Sequence, residues 1–397
     1  MDKAKKIITV VIFLIIIFVM SIMSIRNLKN KYENTQLSDI TIASFENDFK
    51  SNLYLRNKII EFQGLTQKLI LNNAVEDSEL GIIVRNKWGQ LTSLPAENSL
   101  DKFKENIKTI ADGCEDEDID MIYCQAPFKI LPESADEQLY AGFSTFANKN
   151  ADNIIEYLKS RNIDVVDFRE ILENNKIIPK EELFYKTDHH WKIETAFYAF
   201  GEFIKYLSEN YDYCTNSNLQ LLTNKDNFEF VTMEDCYLGS WGRRTGLMYA
   251  GAEDFTYIKP DFEANFSIKR VAGDAKYEAT GSFYDLVMSP KRVEKEKYGP
   301  SQEELSAGFG ENGIYTDLYS VYMDGYTAEM QMTNHSIDSN KKVLIFHDSF
   351  GFPFSSFMAL SAKEVRVIDL RNWHGDIKSY ISDFQPNFVV TLYNPDQ

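Results

Sequence analysis

Two of the five histidines in this 397-residue chain stand side by side, directly after an aspartate, in the segment Thr187–Trp191 (T-D-H-H-W). A carboxylate beside an imidazole fixes the tautomer of the ring and supports the imidazolium that forms when the ring accepts a proton. Asp188 and His190 are separated by one residue, so one local turn can bring their side chains together. The segment therefore predicts a general base, His190, oriented by Asp188.

A candidate nucleophile lies much later in the chain, in the segment Lys342–Gly351. There a buried-strand pattern ends abruptly on Asp348-Ser349-Phe350-Gly351, and a helical pattern follows. A serine between the tip of a strand and a helix is where α/β hydrolytic folds present a nucleophile. A serine hydroxyl attacks only when a base removes its proton, so we predict that Ser349 and His190 form one site.

Each segment also has an ordinary explanation. A serine after a strand is more often a turn residue than a nucleophile, and an Asp-His-His cluster often caps a helix. A metal site is a further alternative, with His347 and Asp348 completing the ligand set of the histidine pair. Adjacent histidines point in different directions, however, and a metal needs three or four convergent ligands. We therefore predict a site without metal.

Apolar strand patterns alternate with amphipathic helical patterns along much of the chain. The predicted strands cover 80–85, 118–127, 163–168, 343–346, 365–370 and 388–393, and the predicted helices cover 45–71, 95–111, 134–159, 191–207, 353–362 and 377–384. This alternation is typical of a parallel sheet covered by helices, and it predicts an α/β fold. The histidine pair then lies at a loop-to-helix junction, where functional groups are often placed.

The region 216–340 has a different character. Its aromatic residues are scattered, its helical periodicity is poor, and glycine recurs. We predict an irregular insertion of loops and short strands within the order of the sheet, and not an independent domain.

The N-terminal run Ile7–Ile25 is uncharged and rich in Ile, Val, Phe, Leu and Met, long enough to cross a bilayer as one helix. It exceeds the core of a usual signal peptide, and the one weak cleavage candidate is Ile22-Met23-Ser24. Basic residues flank both ends of the run, so the positive-inside rule gives only a preference for an outside catalytic domain. The predicted organisation is a cytoplasmic tail (1–6), an uncleaved single-pass anchor (7–25), a polar linker (26–44) and one catalytic domain (45–397).

The formal net charge of −18 argues against nucleic acid or an anionic membrane as the partner of the main body. The cysteines, Cys114, Cys124, Cys214 and Cys236, are too few and too dispersed for a disulfide scaffold or a zinc site. Outside the cell they could form two bridges, with Cys214 and Cys236 the closer pair in sequence. Free buried thiols are an equally good interpretation.

The motifs resemble those of the AlgJ/AlgX-like SGNH-type polysaccharide O-acetyltransferases, and especially their Gram-positive DHHW branch. Thr187–Trp191 looks like the T-D-x-H-W signature, and His347–Gly351 resembles the G-D-S-F block with histidine in the glycine position. Ile122–Lys129 is similar to a strand ending in P-x-K, and Asp369–Arg371 to a D-x-R element. The match runs in order over about 45–397, with Asp and His before Ser, a circular permutation of the usual SGNH order.

The resemblance implies a Ser349-His190-Asp188 site that takes up an acetyl group and esterifies a secreted or cell-surface polysaccharide. His189 occupies the variable position of the motif, so we expect it to pack or to form hydrogen bonds. Acetyl-CoA is absent outside the cell, and the resemblance implies a membrane-bound O-acyltransferase-type protein as the partner that supplies the acyl group. The chemistry requires no dissociable cofactor.

Other residues are candidates for contacts with the oxyanion or the substrate. An acyl-transfer site needs at least two N–H donors directed at the oxyanion, and the backbone N–H of Ser349 is the first candidate. The side-chain amide of Asn394 is a second, unless it merely ends a strand. The further candidates, each also explicable as a surface charge or a loop anchor, are Arg371, Lys129, Trp241 (stacking on a pyranose ring) and Arg244.

Two rival functions fit the same residues. A polysaccharide acetyl esterase would use the same triad with water as the acceptor, and the outcome depends on how dry the site is. A non-catalytic glycan-binding or assembly factor would have no need of a reactive Ser349.

Overall fold

A computed structural model describes residues 2–32, 42, 45, 48–49, 53–77, 81–272, 275–294, 297, 313–325 and 328–394. The chain forms two compact units, Met1–Asn72 with Arg244–Tyr249, and Asn73–Arg243 with Ala250–Gln397. The larger unit thus begins at Asn73, later than the domain start predicted at residue 45.

The first unit contains the helices α1 (Asp2–Tyr32) and α2 (Arg56–Leu69). The part of α1 from Ala4 to Arg26 is long and apolar enough to cross a membrane, by length and composition alone, a test that a signal sequence would also pass. The first residues of the predicted linker (26–44) continue α1 as far as Tyr32. The rest of that linker, 33–41 and 43–44, lies outside the described residues.

The remaining elements have the following bounds. The strands are β1 (Ala74–Asp77), β2 (Gly81–Arg85), β3 (Leu91–Ser93), β4 (Asp120–Gln125), β5 (Asp164–Asp167), β6 (Phe228–Tyr237), β7 (Glu253–Pro260), β8 (Asn265–Ala272), β9 (Ala275–Ser282), β10 (Glu329–Asn334), β11 (Lys342–His347), β12 (Glu364–Ile368) and β13 (Phe388–Tyr393). The helices are α3 (Asp101–Asp116), α4 (Ala135–Gln138), α5 (Ala147–Ser160), α6 (Phe168–Glu173), α7 (Ile193–Tyr211), α8 (Asn216–Thr223), α9 (Ser240–Thr245), α10 (Leu247–Ala250), α11 (Gly351–Ala359) and α12 (Ile377–Phe384).

The central sheet has eight strands in the order β5-β4-β13-β11-β12-β10-β8-β9. The first five run parallel, and β10, β8 and β9 extend the sheet antiparallel. This mixed sheet confirms the predicted α/β class with a parallel core. Two smaller sheets, β1-β2-β3 and β6-β7, lie outside it.

Helices cover both faces of the sheet because its parallel strands are apolar on both sides. Successive residues of a strand point to opposite faces: Val343 and Ile345 of β11 join the core that contains α7 and α11, whereas Leu344 and Phe346 join the core that contains α3 and α12. The sheet is therefore the middle layer of three.

The region 216–340, predicted as an irregular insertion of loops and short strands within the order of the sheet, contains strands of 6 to 10 residues in its described part. Strands β6 and β7 pair with each other, while β8, β9 and β10 belong to the central sheet. These strands face solvent on one side, so their mixed polar and apolar sequence lacks the continuous apolar run of the parallel strands. The helix predicted over 134–159 is likewise interrupted, because α4 ends at Gln138 and α5 begins only at Ala147.

All four cysteines are free, so Cys214 and Cys236 do not form the bridge that was one of the two alternatives. Cys114 and Cys124 are buried in the core. Burial raises the pKa of the Cys114 thiol to about 12, which keeps it protonated and unreactive at neutral pH.

Phe354 tests the packing of α11, the helix that follows Ser349. Its ring is fully buried and lies 5.7 Å from that of Phe168 and 5.4 Å from that of Phe203. We expect Phe354→Ala to lower the free energy of unfolding by about 3–5 kcal/mol, because it leaves a cavity among aromatic rings. The matched control is Tyr277→Ala, at a side chain that is 53% exposed, with a change within about 0.5 kcal/mol. Equal losses in urea denaturation would contradict this account of the core.

Candidate active site

The carboxyl ends of β11, β13 and β4 lie side by side in the sheet, since β13 pairs with both other strands. Ser349 follows the end of β11, and Asn394 follows the end of β13. Open α/β sheets bind their ligands at such an edge, where the strand order reverses. Here β13, the last strand in the chain, is inserted between β11 and β4.

The turn that carries Ser349 is held by the carboxylate of Asp348. One oxygen accepts the backbone N–H of Phe350 at 2.9 Å, and the other accepts that of Asn394 at 2.6 Å. These bonds tie the turn to the end of β13. Histidine is accommodated at position 347, where the G-D-S-F block that the sequence resembles has glycine, because a glycine stands at 351; an added Cβ there would lie 1.9 Å from Nδ1 of His347.

The histidine-bearing segment forms a narrow loop whose two ends pair with each other. Phe184 and Trp191 form an antiparallel bridge, and the backbone N–H of Tyr185 donates to the carbonyl oxygen of His190 at 3.3 Å. Trp191 is fully buried, and its indole N–H donates to the carbonyl oxygen of Phe350 at 3.2 Å. The loop is therefore attached directly to the turn that carries the serine.

Ser349, His190 and Asp188 form one continuous chain of hydrogen bonds. Oγ of Ser349 lies 2.8 Å from Nε2 of His190, and Nδ1 of His190 lies 2.6 Å from Oδ1 of Asp188. These distances suit a relay in which the imidazole takes the hydroxyl proton while the carboxylate holds the other ring nitrogen. The structure thus brings together the three residues selected from the sequence, although Ser349 and His190 are 159 positions apart.

Asp188 remains ionised despite being buried. Burial by itself would raise its pKa, but the adjacent histidine rings and the hydrogen bonds from His190 and the Ser240 N–H hold the pKa well below its usual range. The Ser240 N–H donates to Oδ2 at 2.6 Å, and the backbone N–H of His190 donates to Oδ1 at 3.1 Å. Gly239 permits this close approach, because a Cβ there would lie 2.3 Å from the Cβ of Asp188.

A stacking contact on one face also holds the ring of His190 in place. It stacks on Tyr319 with the ring centroids 3.8 Å apart and the planes 8° from parallel. The hydroxyl of Tyr319 donates to the carbonyl oxygen of Phe350 at 3.3 Å and accepts the indole N–H of Trp191 at 3.1 Å. Nothing in the sequence around Tyr319 identified this role.

His189 packs against the triad, as expected for the variable position of the motif. Its ring centroid lies 3.7 Å from that of His190, and its Nδ1 lies 2.8 Å from Oγ of Ser240. Burial and the neighbouring His190 lower the pKa of His189 well below its usual range. Asp188, His189 and His190 are close enough to hold a metal ion, but their contacts also form the hydrogen-bond network described above.

Lys129 is not a surface charge that faces substrate. Its side chain is only 1% exposed, and its ammonium donates to the carbonyl oxygens of Leu91 and Tyr185, each at 2.7 Å, and to that of Asp188. Because the ammonium donates to three carbonyl oxygens, it holds the loop in place from one side. Burial lowers its pKa, and the nearby carboxylate of Glu253 opposes that shift.

Glu253 braces the same loop from the other side. Its carboxylate accepts the backbone N–H groups of Lys186 and Thr187, each at 2.7 Å, and the Thr187 hydroxyl at 2.5 Å. Sequence reasoning missed both Glu253 and Ser240. The one available signal was the run of small residues around Trp241, with glycine at 239 and 242.

The other candidates occupy varied positions. Asn394 directs its side-chain amide to the carbonyl oxygen of Pro127 at 3.3 Å. Arg371 forms an ion pair with the buried Asp369 at 2.7 Å. Trp241 is buried, which fits the alternative that it anchors a loop better than the one that it stacks on a sugar; the Lys129 ammonium lies over its ring, 5.0 Å from the centroid. Arg244 belongs to the first compact unit and not to the unit that carries the triad.

No protein-family model matches the sequence, and no curated protein matches it. Solved structures do share the fold. PatB1 of Bacillus cereus, solved with a sulfonyl adduct, is 17% identical with a TM-score of 0.60, over 81% of this chain and 97% of that one. A DHHW family protein from Eubacterium siraeum is 17% identical with a TM-score of 0.58, over 81% and 93%.

A third structure, the O-acetyltransferase domain of Pseudomonas putida AlgJ, is 12% identical with a TM-score of 0.44, over 79% of this chain and 91% of that one. Because its TM-score is below 0.5, this third structure supports no conclusion about the fold. The first two structures establish that the chain has the α/β fold of PatB1 and of the DHHW family protein. The resemblance seen in the motifs is thereby confirmed at the level of the fold.

Gly239→Ala tests the close packing around Asp188. The added Cβ would lie 2.6 Å from Oδ2 of Asp188, so we expect the carboxylate to move and the free energy of unfolding to fall by about 1–3 kcal/mol. The matched control is Gly201→Ala in α7, where the nearest atom lies 4.0 Å from the new Cβ. That change should stabilise the helix by about 0.5–1 kcal/mol. The same effect at both positions would contradict the proposed packing.

Asp348 should make stability depend on pH. Burial raises its pKa to about 6, above the unfolded value of about 3.9. Its contribution is therefore fully present below about pH 4 and is lost as pH rises through about 6, a change of about 2–3 kcal/mol. Asp188, whose pKa is lowered, acts with the opposite sign and only at pH values below its unfolded value.

The measurement is urea denaturation of the native chain and of Asp348→Asn between about pH 4 and pH 7. The asparagine cannot accept both backbone N–H groups in the same way, which lowers stability by an amount independent of pH. The difference between the two proteins should nevertheless shrink as pH rises. A difference that stays constant with pH would rule out the raised pKa.

Proposed function

We propose that this protein is a membrane-anchored O-acetyltransferase that esterifies hydroxyl groups of a secreted or cell-surface polysaccharide outside the cytoplasmic membrane. The observation that carries the proposal is the hydrogen-bonded chain from Ser349 through His190 to Asp188. It lies at the carboxyl ends of the parallel strands, in a fold that this chain has in common with PatB1, which was solved with a sulfonyl adduct.

In the first step, Oγ of Ser349 attacks the carbonyl carbon of an acetyl donor while Nε2 of His190 accepts the hydroxyl proton. Asp188 stabilises the resulting imidazolium through Nδ1. The backbone N–H of Ser349 is our candidate donor to the oxyanion. Collapse of the tetrahedral intermediate breaks the bond to the leaving oxygen, which takes the proton from His190 and departs as an alcohol.

In the second step, a sugar hydroxyl attacks the acetyl-Ser349 ester. His190 accepts the proton of that hydroxyl and returns it to Oγ of Ser349 when the acyl bond breaks. No dissociable cofactor enters this cycle. The donor outside the cell would be supplied through a membrane-bound O-acyltransferase-type partner, with α1 keeping the enzyme at the membrane.

The rival outcome is hydrolysis by the same triad. Ser349 and His190 are only 5% and 6% exposed, so little water reaches the acyl group unless a ligand or a movement opens the site. A dry site favours a bound sugar over water as the acceptor. We therefore propose transfer as the reaction and polysaccharide acetyl esterase as the alternative.

Purified full-length protein should release acetate or transfer acetyl from an activated acetyl ester, with Ser349 acetylated in a rapid first phase detectable by mass spectrometry. Ser349→Ala and His190→Ala should each lower turnover by about four or more orders of magnitude, and the double variant should lose no more, because the residues act as one unit. Ser160→Ala, at a serine outside the site, is the matched control. A sulfonyl fluoride that never labels Ser349 would support a non-catalytic glycan-binding factor.

Adding candidate glycans separates the two reactions. If acetyl ester accumulates on the glycan and the amount of free acetate falls correspondingly, the reaction is transfer. Free acetate formed at a rate that the glycan does not change supports an esterase. A chelator should leave either reaction unchanged; loss of activity that added metal restores would indicate a metal site at Asp188, His189 and His190.

A further inference from the structure

The helix α2 presents an apolar face to its surroundings. Ile59, Phe62 and Leu69 are 43%, 72% and 73% exposed, and Leu55, at the start of the helix, is 48% exposed. At 3.6 residues per turn, these four side chains fall within about 80° of the helix circumference. They form a continuous strip, which we call the apolar stripe.

The exposed apolar surface continues past the end of the helix. Ile70 is 64% exposed and Leu71 is 85% exposed. Together with Leu69, they form a run of three consecutive exposed apolar residues. Runs of this kind are rare on a soluble surface unless something covers them.

The opposite face of α2 is already occupied within its own unit. A Cβ at Gly64 would lie 2.3 Å from the carbonyl oxygen of Thr245, so the helix backbone lies directly on that segment. The carboxylate of Glu61 accepts the backbone N–H groups of Leu247 and Met248 at 2.8 and 3.0 Å. Gly64 stands about half a turn away from the middle of the apolar stripe, so the stripe points outward.

The position of α2 beside the apolar helix indicates what covers the stripe. The backbone N–H of Tyr54 donates to Oγ of Ser24 at 2.9 Å, and Ser24 lies near the end of the apolar span Ala4–Arg26. The start of α2 is thus joined to the end of the span; in a membrane crossed by that span, this junction would lie at the bilayer surface. The helix also carries Arg56, Lys58 and Lys68 against one acidic residue, in a chain of net charge −18.

We propose that α2 is an interfacial helix that lies along the bilayer surface, with the apolar stripe among the upper acyl chains and its basic residues at the headgroups. An exposed apolar face flanked by lysine and arginine is the pattern of helices that lie in the membrane plane. This inference rests on the membrane anchor in the proposed function. It adds a second membrane contact, independent of the triad and its chemistry.

Photo-crosslinking of the full-length protein in vesicles of phosphatidylethanolamine and phosphatidylglycerol tests the proposal. A benzophenone amino acid is placed at Phe62 or Leu69 in the stripe. The matched controls are Gln63, next to Phe62, and Lys68, next to Leu69. Each control side chain points about 100° around the helix from its neighbour in the stripe. Phe13 in α1 reports separately on whether the anchor is in the bilayer.

We expect mass spectrometry to detect several-fold more lipid adduct at positions 62 and 69 than at 63 and 68. Equal lipid adduct on both faces, or crosslinks from the stripe to a second copy of the chain, would overturn the proposal. If Phe13 forms lipid adducts while the stripe does not, the anchor stands and the interfacial helix is wrong. If none of the positions does, the anchor is wrong as well; acetyl transfer by Ser349 is measured separately.

Discussion

The site depends on the burial of one charge, the carboxylate of Asp188. A carboxylate removed from water takes up a proton unless hydrogen bonds and positive charge replace its hydration. Here the N–H groups of His190 and Ser240 surround it, and the absence of a side chain at Gly239 lets the chain approach. Because the carboxylate stays charged, it can hold Nδ1 of His190, and Nε2 is left facing Ser349.

The loop that presents these groups has no regular secondary structure to stiffen it, and two buried charges of opposite sign take that role. Lys129 binds its carbonyl oxygens, while Glu253 binds its N–H groups and the Thr187 hydroxyl. Tyr319 and Trp191 then tie the loop to the backbone of Phe350, next to the serine. The donor and acceptor geometry is thus set before any substrate arrives, which is how preorganised sites lower an activation barrier.

Local patterns in the sequence predict the parallel core and the position of Ser349 and His190 at junctions between elements, because apolar runs and turn positions are properties of neighbouring residues. The sequence singled out Lys129 as a candidate, but its role could not be predicted from local patterns. Its burial depends on carbonyl groups near residues 91, 185 and 188, which only the folded chain brings together. For Trp241 the sequence left open a sugar-stacking ring or a loop anchor, and its buried ring beneath that ammonium fits the loop anchor. Strands β8–β10 were expected only as short strands without assigned positions, because a strand with one solvated face is hard to distinguish from loop.

The central claim is that Asp188 holds the proton on Nδ1 of His190, leaving Nε2 to accept the proton of Ser349. Proton NMR of ¹⁵N-histidine-labelled protein tests it directly, since a strong N–H···O⁻ hydrogen bond moves the proton resonance far downfield. We predict one such resonance, lost in His190→Gln and in Asp188→Asn, retained in His189→Gln, and shifted when Ser349 is sulfonylated. A spectrum without that resonance, or one in which it belongs to His189, would contradict the account.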